Sequence, residues 1–154
     1  AVTALTRWWS KTGQRRYPTA KRLLILADCG GSNGYRSRVF KYELQSRFCN
    51  RFGLKVTLCH YPPGTSKWNP IEHRLFSEIS KNWAGQPLES YETVLNFIRT
   101  TKTQTGLVVR ATMLPGNYPT GVKIPDSKMA EVRLRPHRVL PMWNYTLVPA
   151  QPKM

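Results

Sequence analysis

Acidic residues are scarce in this chain of 154 residues, which has 8 Asp and Glu against 24 Lys and Arg. The formal net charge is therefore +16. Basic residues spread along the whole chain predict a broad positive face that binds a polyanion, and nucleic acid is the commonest such partner. Any carboxylate chemistry must use some of the eight acids, which are Asp28, Glu43, Glu72, Glu78, Glu89, Glu92, Asp126 and Glu131.

Cysteines and long apolar runs are also few. The three cysteines contain no C-x-x-C pair, which favours reduced thiols in a cytosolic protein over a disulfide framework. No apolar run approaches the roughly 18 residues that a membrane span needs, and no signal peptide or long basic amphipathic helix is apparent. We therefore expect a cytoplasmic protein without a membrane partner. A zinc-stabilised interaction domain would use Cys29, Cys59, His60 and His73, but their spacings do not fit zinc ligands.

The most apolar run is LLILAD, residues 23–28, and it ends in Asp28. A continuous apolar run predicts a strand covered on both faces, as in a parallel sheet. The glycine-rich GGSNG that follows must turn sharply. Ligands of open α/β sheets bind beyond the carboxyl ends of the strands, so Asp28 is placed to bind one. An Asp that simply caps the turn explains the position equally well.

The other predicted elements follow from hydrophobic periodicity and from glycine and proline. A helix over 3–12 should end at GQRRYP, residues 13–18. An amphipathic helix over 35–52 and an alternating strand over 54–59 follow, and strand–helix–strand order predicts parallel pairing. Further along we expect a helix over 90–100, a strand over 107–113, a short helix over 127–132, and a terminal strand containing Trp143, Tyr145 and Leu147.

A second acid begins a helix after the loop HYPPGTSKW, residues 60–68. Asn69 is a typical N-cap, Pro70 suits the first helical position, and Glu72 falls in the first turn. A capping box, in which Glu72 bonds back to the Asn69 N–H, explains this pattern locally. Apolar residues at Ile71 and Leu75 place Glu72 at the margin of the buried face, which a capping box does not require.

Two carboxylates that meet in space repel each other unless a cation lies between them. Hard oxygen ligands select Mg²⁺ or Mn²⁺, and two such ions about 3.5–4 Å apart can drive an in-line displacement at a phosphodiester. If Asp28 and Glu72 converge, the basic surface would hold nucleic acid against an acidic metal site. This combination fits a nuclease or strand-transfer enzyme better than a metabolic enzyme.

These residues resemble a known family. LLILADCGGSNG, followed after a helix and strand by HYPPGTSKWNPIEHRLFSEISKNWAG, is similar to the DDE catalytic core of bacterial insertion-sequence transposases. The resemblance is to the ISAzo13-like (Rhodopirellula-type) group. RWWSKTGQRRYP before these segments, and YPTGVKIPD and WNYTLVP after them, resemble the same group, so the similarity covers nearly the whole chain.

The resemblance implies a partial RNase H-like (retroviral integrase-type) α/β fold and a metal-binding triad of acids. Asp28 matches the second acid and Glu72 the third, so both are the implied catalytic and Mg²⁺- or Mn²⁺-binding residues. The implied partner is DNA, as transposon ends and target, in a nucleoid-associated bacterial protein. Transposases commonly act as multimers, which the residues themselves do not indicate. Candidate DNA-binding residues are Lys67, Trp68, Asn69, His73, Arg74, Arg36 and Arg38.

The chain departs from the family pattern in one respect, because no acid precedes Asp28. The first Asp of the family lies on an earlier strand, and Asp126 and Glu131 lie too far downstream to replace it. We therefore expect residues 1–105 to form the C-terminal part of a DDE core and 106–154 to form a Pro-rich extension packed on the same domain. Such a chain would leave an unpaired sheet edge beside the Asp28 strand.

Two functions compete at this point. The first is a transposase catalytic domain that cuts and joins DNA, and that is weak or inactive alone with two of three acids. The second is a non-catalytic basic module that binds nucleic acid, as a decayed transposase remnant. Dependence of activity or metal binding on Asp28 and Glu72 separates the two.

Overall fold

The computed structural model describes residues 1–150 and forms two compact units. One unit comprises Ala1–Pro63 and the described residues from Pro119 onward, and the other comprises Gly64–Tyr118. The boundary expected after residue 105 stays a prediction. The last four residues of the Pro-rich extension, 151–154, lie outside the described residues.

The first unit opens with one continuous helical segment. Helix α1 (Val2–Trp8) runs through a π-helical stretch (Trp9–Gly13) into α2 (Gln14–Arg16). The predicted break at residues 13–18 is therefore wrong at its start. The indole of Trp9 lies where a Cβ on residue 13 would stand, so Gly13 makes room for a buried ring inside the helix. Trp9 packs in the core, whereas its neighbour Trp8 is 40% exposed.

This unit contains a four-stranded mixed sheet. Strands β1 (Arg22–Ala27) and β2 (Lys55–His60) pair in parallel, as predicted. The terminal strand β4 (Asn144–Leu147) is confirmed and lies antiparallel between β2 and β3 (Leu134–Pro136). The mixed α/β fold is thus confirmed, and its single parallel pair is consistent with a partial RNase H-like fold.

Strand β1 lies at an edge of the sheet among the described residues, in accord with the predicted unpaired edge. Its predicted burial on both faces is wrong, because Leu24 is 59% exposed and Leu26 is 47% exposed. Leu23 and Ile25 lie on the other face and pack against the core. An apolar run in the sequence does not show which of its faces a neighbouring element covers.

The core of this unit forms between the sheet and one long helical segment. Helix α3 (Arg38–Leu44) continues into a π-helical stretch (Gln45–Asn50). It begins at residue 38 because the Ser37 hydroxyl accepts a hydrogen bond from the Phe40 N–H. The segment ends before Gly53, whose φ of +64° suits glycine at a helix C-terminus. Buried members of the core are Phe40, Leu44, Phe48, Val56, Leu58, Tyr145 and Leu147.

The second unit is mainly helical. A π-helical stretch (Glu72–Phe76) leads into α4 (Ser77–Asn82), and α5 (Tyr91–Thr100) follows. The Asn82 amide donates to the Phe97 carbonyl oxygen at 2.7 Å and joins the two helices. The strand predicted over 107–113 is wrong, since this segment forms one isolated bridge, between Lys102 and Val108. The turn at Gly106 (φ +95°) brings that pair together without extending a ladder.

The short helix α6 (Asp126–Met129) belongs to the first unit and is shorter than the predicted 127–132 at its C-terminal end. No helix of the described chain is long and apolar enough to cross a membrane.

Candidate metal and nucleic-acid site

Asp28 stands immediately beyond the parallel strand pair. The β1–β2 ladder ends at Ala27 opposite His60, and the Tyr61 N–H donates to the Ala27 carbonyl oxygen at 2.7 Å. The exposed Asp28 carboxylate accepts one hydrogen bond through Oδ1, from the Asn33 side-chain amide at 3.0 Å. Within the described part of its unit, no backbone N–H caps this carboxylate, so the turn-capping interpretation is not supported. The carboxylate is exposed and keeps further lone pairs that are available to a cation.

A buried histidine contacts the main chain of Asp28, and it is linked in turn to Tyr145. His60 is 5% exposed, with Nδ1 3.1 Å from the Asp28 carbonyl oxygen and Nε2 3.2 Å from the Tyr145 hydroxyl. Burial lowers the pKa of His60, since a charged imidazolium would lose its hydration. Burial also lowers the pKa of Lys41, whose ammonium lies 5.2 Å from the centre of the Tyr145 ring.

The predicted loop position of His60 is wrong, because His60 is the last residue of strand β2. The strand alternation extends one residue further than expected, and buried Val56, Leu58 and His60 share one face of β2. Because side chains alternate along a strand, the same spacing could have identified His60 as an inward-facing polar residue.

The zinc interpretation receives no support from either unit. In the described part of each, no three His, Cys, Asp or Glu side chains are grouped so that they could hold a metal. Cys29 Sγ instead donates to the Tyr61 carbonyl oxygen at 2.8 Å. Burial raises the pKa of the Cys29 thiol, and the adjacent Asp28 charge raises it further. Both effects favour a protonated thiol over a thiolate ligand.

Glu72 lies in the second unit, at the start of its helical segment. The predicted Asn69 cap is confirmed, since Asn69 Oδ1 accepts from the Ile71 N–H at 3.4 Å. The Asn69 carbonyl oxygen accepts from the Glu72 N–H at 3.0 Å. The reciprocal bond of a capping box is not formed, and the half-buried Glu72 carboxylate has no hydrogen-bond partner among the described residues of its unit. Its acid group is therefore not used by the cap.

The loop before Glu72 presents an exposed aromatic residue. The 3-10 turn Ser66–Trp68 is held by the Trp68 N–H, which donates to the Thr65 carbonyl oxygen at 2.9 Å. The indole of Trp68 is 68% exposed, and the Lys67 ammonium lies 5.4 Å from its centre. His73 Nε2 lies 2.5 Å from the Lys67 carbonyl oxygen, so this imidazole fixes the turn. Arg74 is exposed on the next position of the helix.

The two remaining candidate DNA-binding residues lie in the first unit. The exposed Arg36 guanidinium lies 5.2 Å from the centre of the Tyr35 ring. Arg38 forms an ion pair with Asp126, and both side chains are exposed. Asp126 therefore offsets part of the charge that Arg38 could offer to a phosphate, while Arg36 has no acidic partner among the described residues.

The donor chemistry of Asp28 and Glu72 fits Mg²⁺ or Mn²⁺. Both offer carboxylate oxygens that no ion pair within their own unit occupies. Hard divalent cations prefer such ligands over nitrogen or sulfur. Asp28 belongs to the first unit and Glu72 to the second.

The chain matches the family model of the Rhodopirellula transposase DDE domain over residues 1–149. No curated protein and no solved structure shows significant similarity to the chain.

Proposed function

The chain belongs to the family of Rhodopirellula transposase DDE domains, and we propose that Asp28 and Glu72 are its metal-binding acids for cutting and joining DNA. The family supports a transposase-type function with DNA as partner and divalent metal as cofactor. The assignment rests on one observation, which is that both carboxylates are available to bind a cation. Neither forms an ion pair or caps a backbone N–H within its own unit.

The reaction is phosphodiester cleavage followed by strand transfer. A divalent ion, when bound, polarises the phosphate and stabilises the negative charge that develops in an in-line displacement. In cleavage, water attacks phosphorus, the P–O3′ bond breaks, and the leaving oxygen takes a proton to become a 3′-hydroxyl. In strand transfer, that hydroxyl attacks a target phosphodiester, so one P–O bond forms as another breaks. Asp28 and Glu72 would each act as a carboxylate ligand of such an ion.

Positive side chains would bind the DNA substrate. DNA phosphates attract lysine and arginine, and the release of counterions drives binding. In the second unit, exposed Lys67 and Arg74 flank the cap residue Asn69 and the acid Glu72. In the first, Arg36 lies on the segment that follows the Asp28 turn. Both acids are therefore near basic side chains in sequence, as a phosphodiester substrate requires.

A non-catalytic nucleic-acid-binding module is the second candidate. It is favoured by the net charge of +16, which predicts binding to nucleic acid without any catalytic site. This module would bind DNA through the same basic surface, with no requirement for Asp28 or Glu72. Multimeric action on paired ends and association with the nucleoid belong to the first proposal.

Iron-directed cleavage tests the residue assignment. Fe²⁺ replaces Mg²⁺ in the purified chain, and ascorbate with peroxide generates hydroxyl radicals that cut the backbone beside the bound ion. We expect cuts near residues 28 and 72, competed by Mn²⁺ and lost in Asp28→Asn and Glu72→Gln. Glu89→Gln, which neutralises an exposed acid elsewhere in the second unit, should leave the cuts unchanged. Cuts that persist in both acid variants would contradict the assignment.

Plasmid nicking with Mg²⁺ or Mn²⁺ then separates the two functions. With two of the three acids, we expect the chain to nick weakly or not at all. Any nicking that occurs should be lost in Asp28→Asn and Glu72→Gln. Robust nicking that survives both substitutions excludes the proposed metal site. DNA binding that ignores both substitutions, together with no site-directed iron cleavage, identifies the binding module.

A further inference from the structure

The two chain segments that leave β1 and β2 stay joined after the strand ladder ends. The last ladder pair is Ala27 opposite His60. At the next residue, the His60 ring replaces the backbone as hydrogen-bond donor, and its Nδ1 lies 3.1 Å from the Asp28 carbonyl oxygen. The Cys29 thiol donates to the Tyr61 carbonyl oxygen at 2.8 Å. Side chains therefore continue the pairing across the residue that carries the candidate metal ligand.

The directions of these hydrogen bonds are fixed by chemistry. A carbonyl oxygen can only accept, so Nδ1 of His60 must carry the hydrogen that faces Asp28. In the neutral ring Nε2 is then an acceptor, and the Tyr145 hydroxyl must donate to it. Burial raises the pKa of Tyr145, which keeps that hydroxyl protonated as a donor. The Asp28 carbonyl oxygen thus selects the His60 tautomer, and the Tyr145 hydroxyl supports it by donating to Nε2.

The ring of His60 has little freedom to move. It is 5% exposed, and its centroid lies 5.8 Å from that of Tyr145 and 6.4 Å from that of Tyr35. The cation that faces this cluster is Lys41, whose ammonium lies over the Tyr145 ring at 5.2 Å from its centre. In contrast, Asp28 is exposed and precedes a glycine-rich turn. An exposed ligand at the start of a turn is therefore joined to a buried side chain.

We propose that His60 is a positioning residue, which holds the main chain of Asp28 so that its carboxylate is oriented for the divalent ion. The inference rests on the proposed function of Asp28. A metal ligand has to be held within about 0.5 Å of its working geometry, and ligands on loops need support from neighbouring side chains. Asn33 orients the carboxylate from the turn, and His60 anchors the backbone from the core.

A matched pair of substitutions separates positioning from simple core packing. The amide nitrogen of His60→Asn can take the place of Nδ1 and keep the bond to Asp28, while the bond to Tyr145 is lost. The amide of His60→Gln reaches the place of Nε2 instead, which keeps the bond to Tyr145 and frees Asp28. Each variant loses one buried hydrogen bond, so a packing role predicts similar effects of both.

Mn²⁺ affinity, measured by electron paramagnetic resonance, is the readout, with thermal unfolding in parallel. We expect His60→Asn to bind Mn²⁺ like the wild type and His60→Gln to bind about tenfold more weakly, as loss of a ligand's supporting hydrogen bond costs elsewhere. Tyr145→Phe, which removes only the hydroxyl, should weaken binding by a smaller factor and covers the case in which His60→Gln does not fold. Nitrogen NMR should show a proton on Nδ1 of His60.

The outcomes are distinct. Weaker binding confined to His60→Gln and Tyr145→Phe supports the inference. Equal Mn²⁺ affinity in all three variants and the wild type, with binding still lost in Asp28→Asn, overturns the positioning role and leaves the proposed function in place. Absence of Asp28-dependent Mn²⁺ binding in the wild type overturns the proposed function, and the inference with it.

Discussion

Cys49 shows how burial alone sets the chemistry of a residue. Its side chain is fully buried, and its thiol donates to the Leu54 carbonyl oxygen at 2.9 Å. Burial raises the pKa of this thiol from 9.0 to about 11, because a thiolate would have no water around it. The thiol therefore stays protonated in the folded chain at pH values where it ionises in the unfolded chain.

This shift predicts a loss of stability in alkaline solution. Above pH 9 the unfolded chain releases the Cys49 proton while the folded chain keeps it, so each further rise in pH favours unfolding until about pH 11. Urea unfolding should show the wild type losing up to about 2–3 kcal/mol over this window relative to Cys49→Ala. Cys49→Ser, which cannot ionise there, should follow the alanine variant. Parallel pH profiles for all three would show that the thiol pKa is not raised.

The surroundings of His60 and Glu72 can be predicted from the sequence only in part. The period-two pattern of Val56 and Leu58 predicts that His60 also faces inward, whereas the two prolines after Tyr61 predict only that a loop follows. For Glu72, the Asn69 cap was readable from residue types. That the carboxylate does not bond back was not readable, because a Glu at the third helical position fits a capping box whether or not the bond forms.

The contribution of the Asn69 cap to the stability of its helical segment can be measured. Asn69→Ala removes the acceptor for the Ile71 N–H and should destabilise the second unit by about 1 kcal/mol. Asn69→Ser, which keeps a capping oxygen, should recover most of that loss. Glu72→Gln should change stability by less than about 0.5 kcal/mol, because the carboxylate does not contribute to the cap. Urea unfolding followed by far-ultraviolet circular dichroism measures all three.

A large effect of Glu72→Gln on stability would contradict this prediction. If Glu72→Gln destabilised the chain as much as Asn69→Ala, Glu72 would be a capping residue, and its carboxylate would not be free to bind a metal. A loss in neither variant would show that packing of buried Ile79, and not the cap, holds this helical segment.

Predictions of helices and strands were confirmed where the spacing of apolar residues and a residue that ends the element pointed to the same bounds. The helix around Phe40, Leu44 and Phe48 has a strict four-residue spacing, and Gly53 ends it. The failures share a cause, which is that a neighbour decides the outcome. Gly13 continues a helix because the Trp9 ring occupies the space of its missing side chain. The apolar segment 107–113 stays irregular because a strand needs a partner, and it finds one bridge.

The net charge of the chain can be counted from its residues, whereas the exposed position of Trp68 is known only from the structure. A net charge of +16 predicts DNA binding that weakens steeply with salt, whatever the fold. Composition cannot show that an indole stands 68% exposed beside Lys67 on a fixed turn. An exposed aromatic ring next to a cation is suited to stack on an unpaired base while the cation contacts phosphate.

Lys67 and Trp68 should therefore affect DNA binding in different ways. Lys67→Ala should lower the slope of log affinity against log salt by about 1 on duplex and single strands alike, because one phosphate contact is lost. Trp68→Ala should leave that slope unchanged and weaken binding to single-stranded DNA by about 1–3 kcal/mol, with little effect on duplex, whose bases are already stacked. Fluorescence anisotropy over a salt series measures both quantities.

Lys67→Arg and Trp68→Phe keep the charge and the ring, and should bind like the wild type. Equal loss on duplex and single strands in Trp68→Ala would assign the indole to the shape of the turn, since stacking on bases requires that they be unpaired.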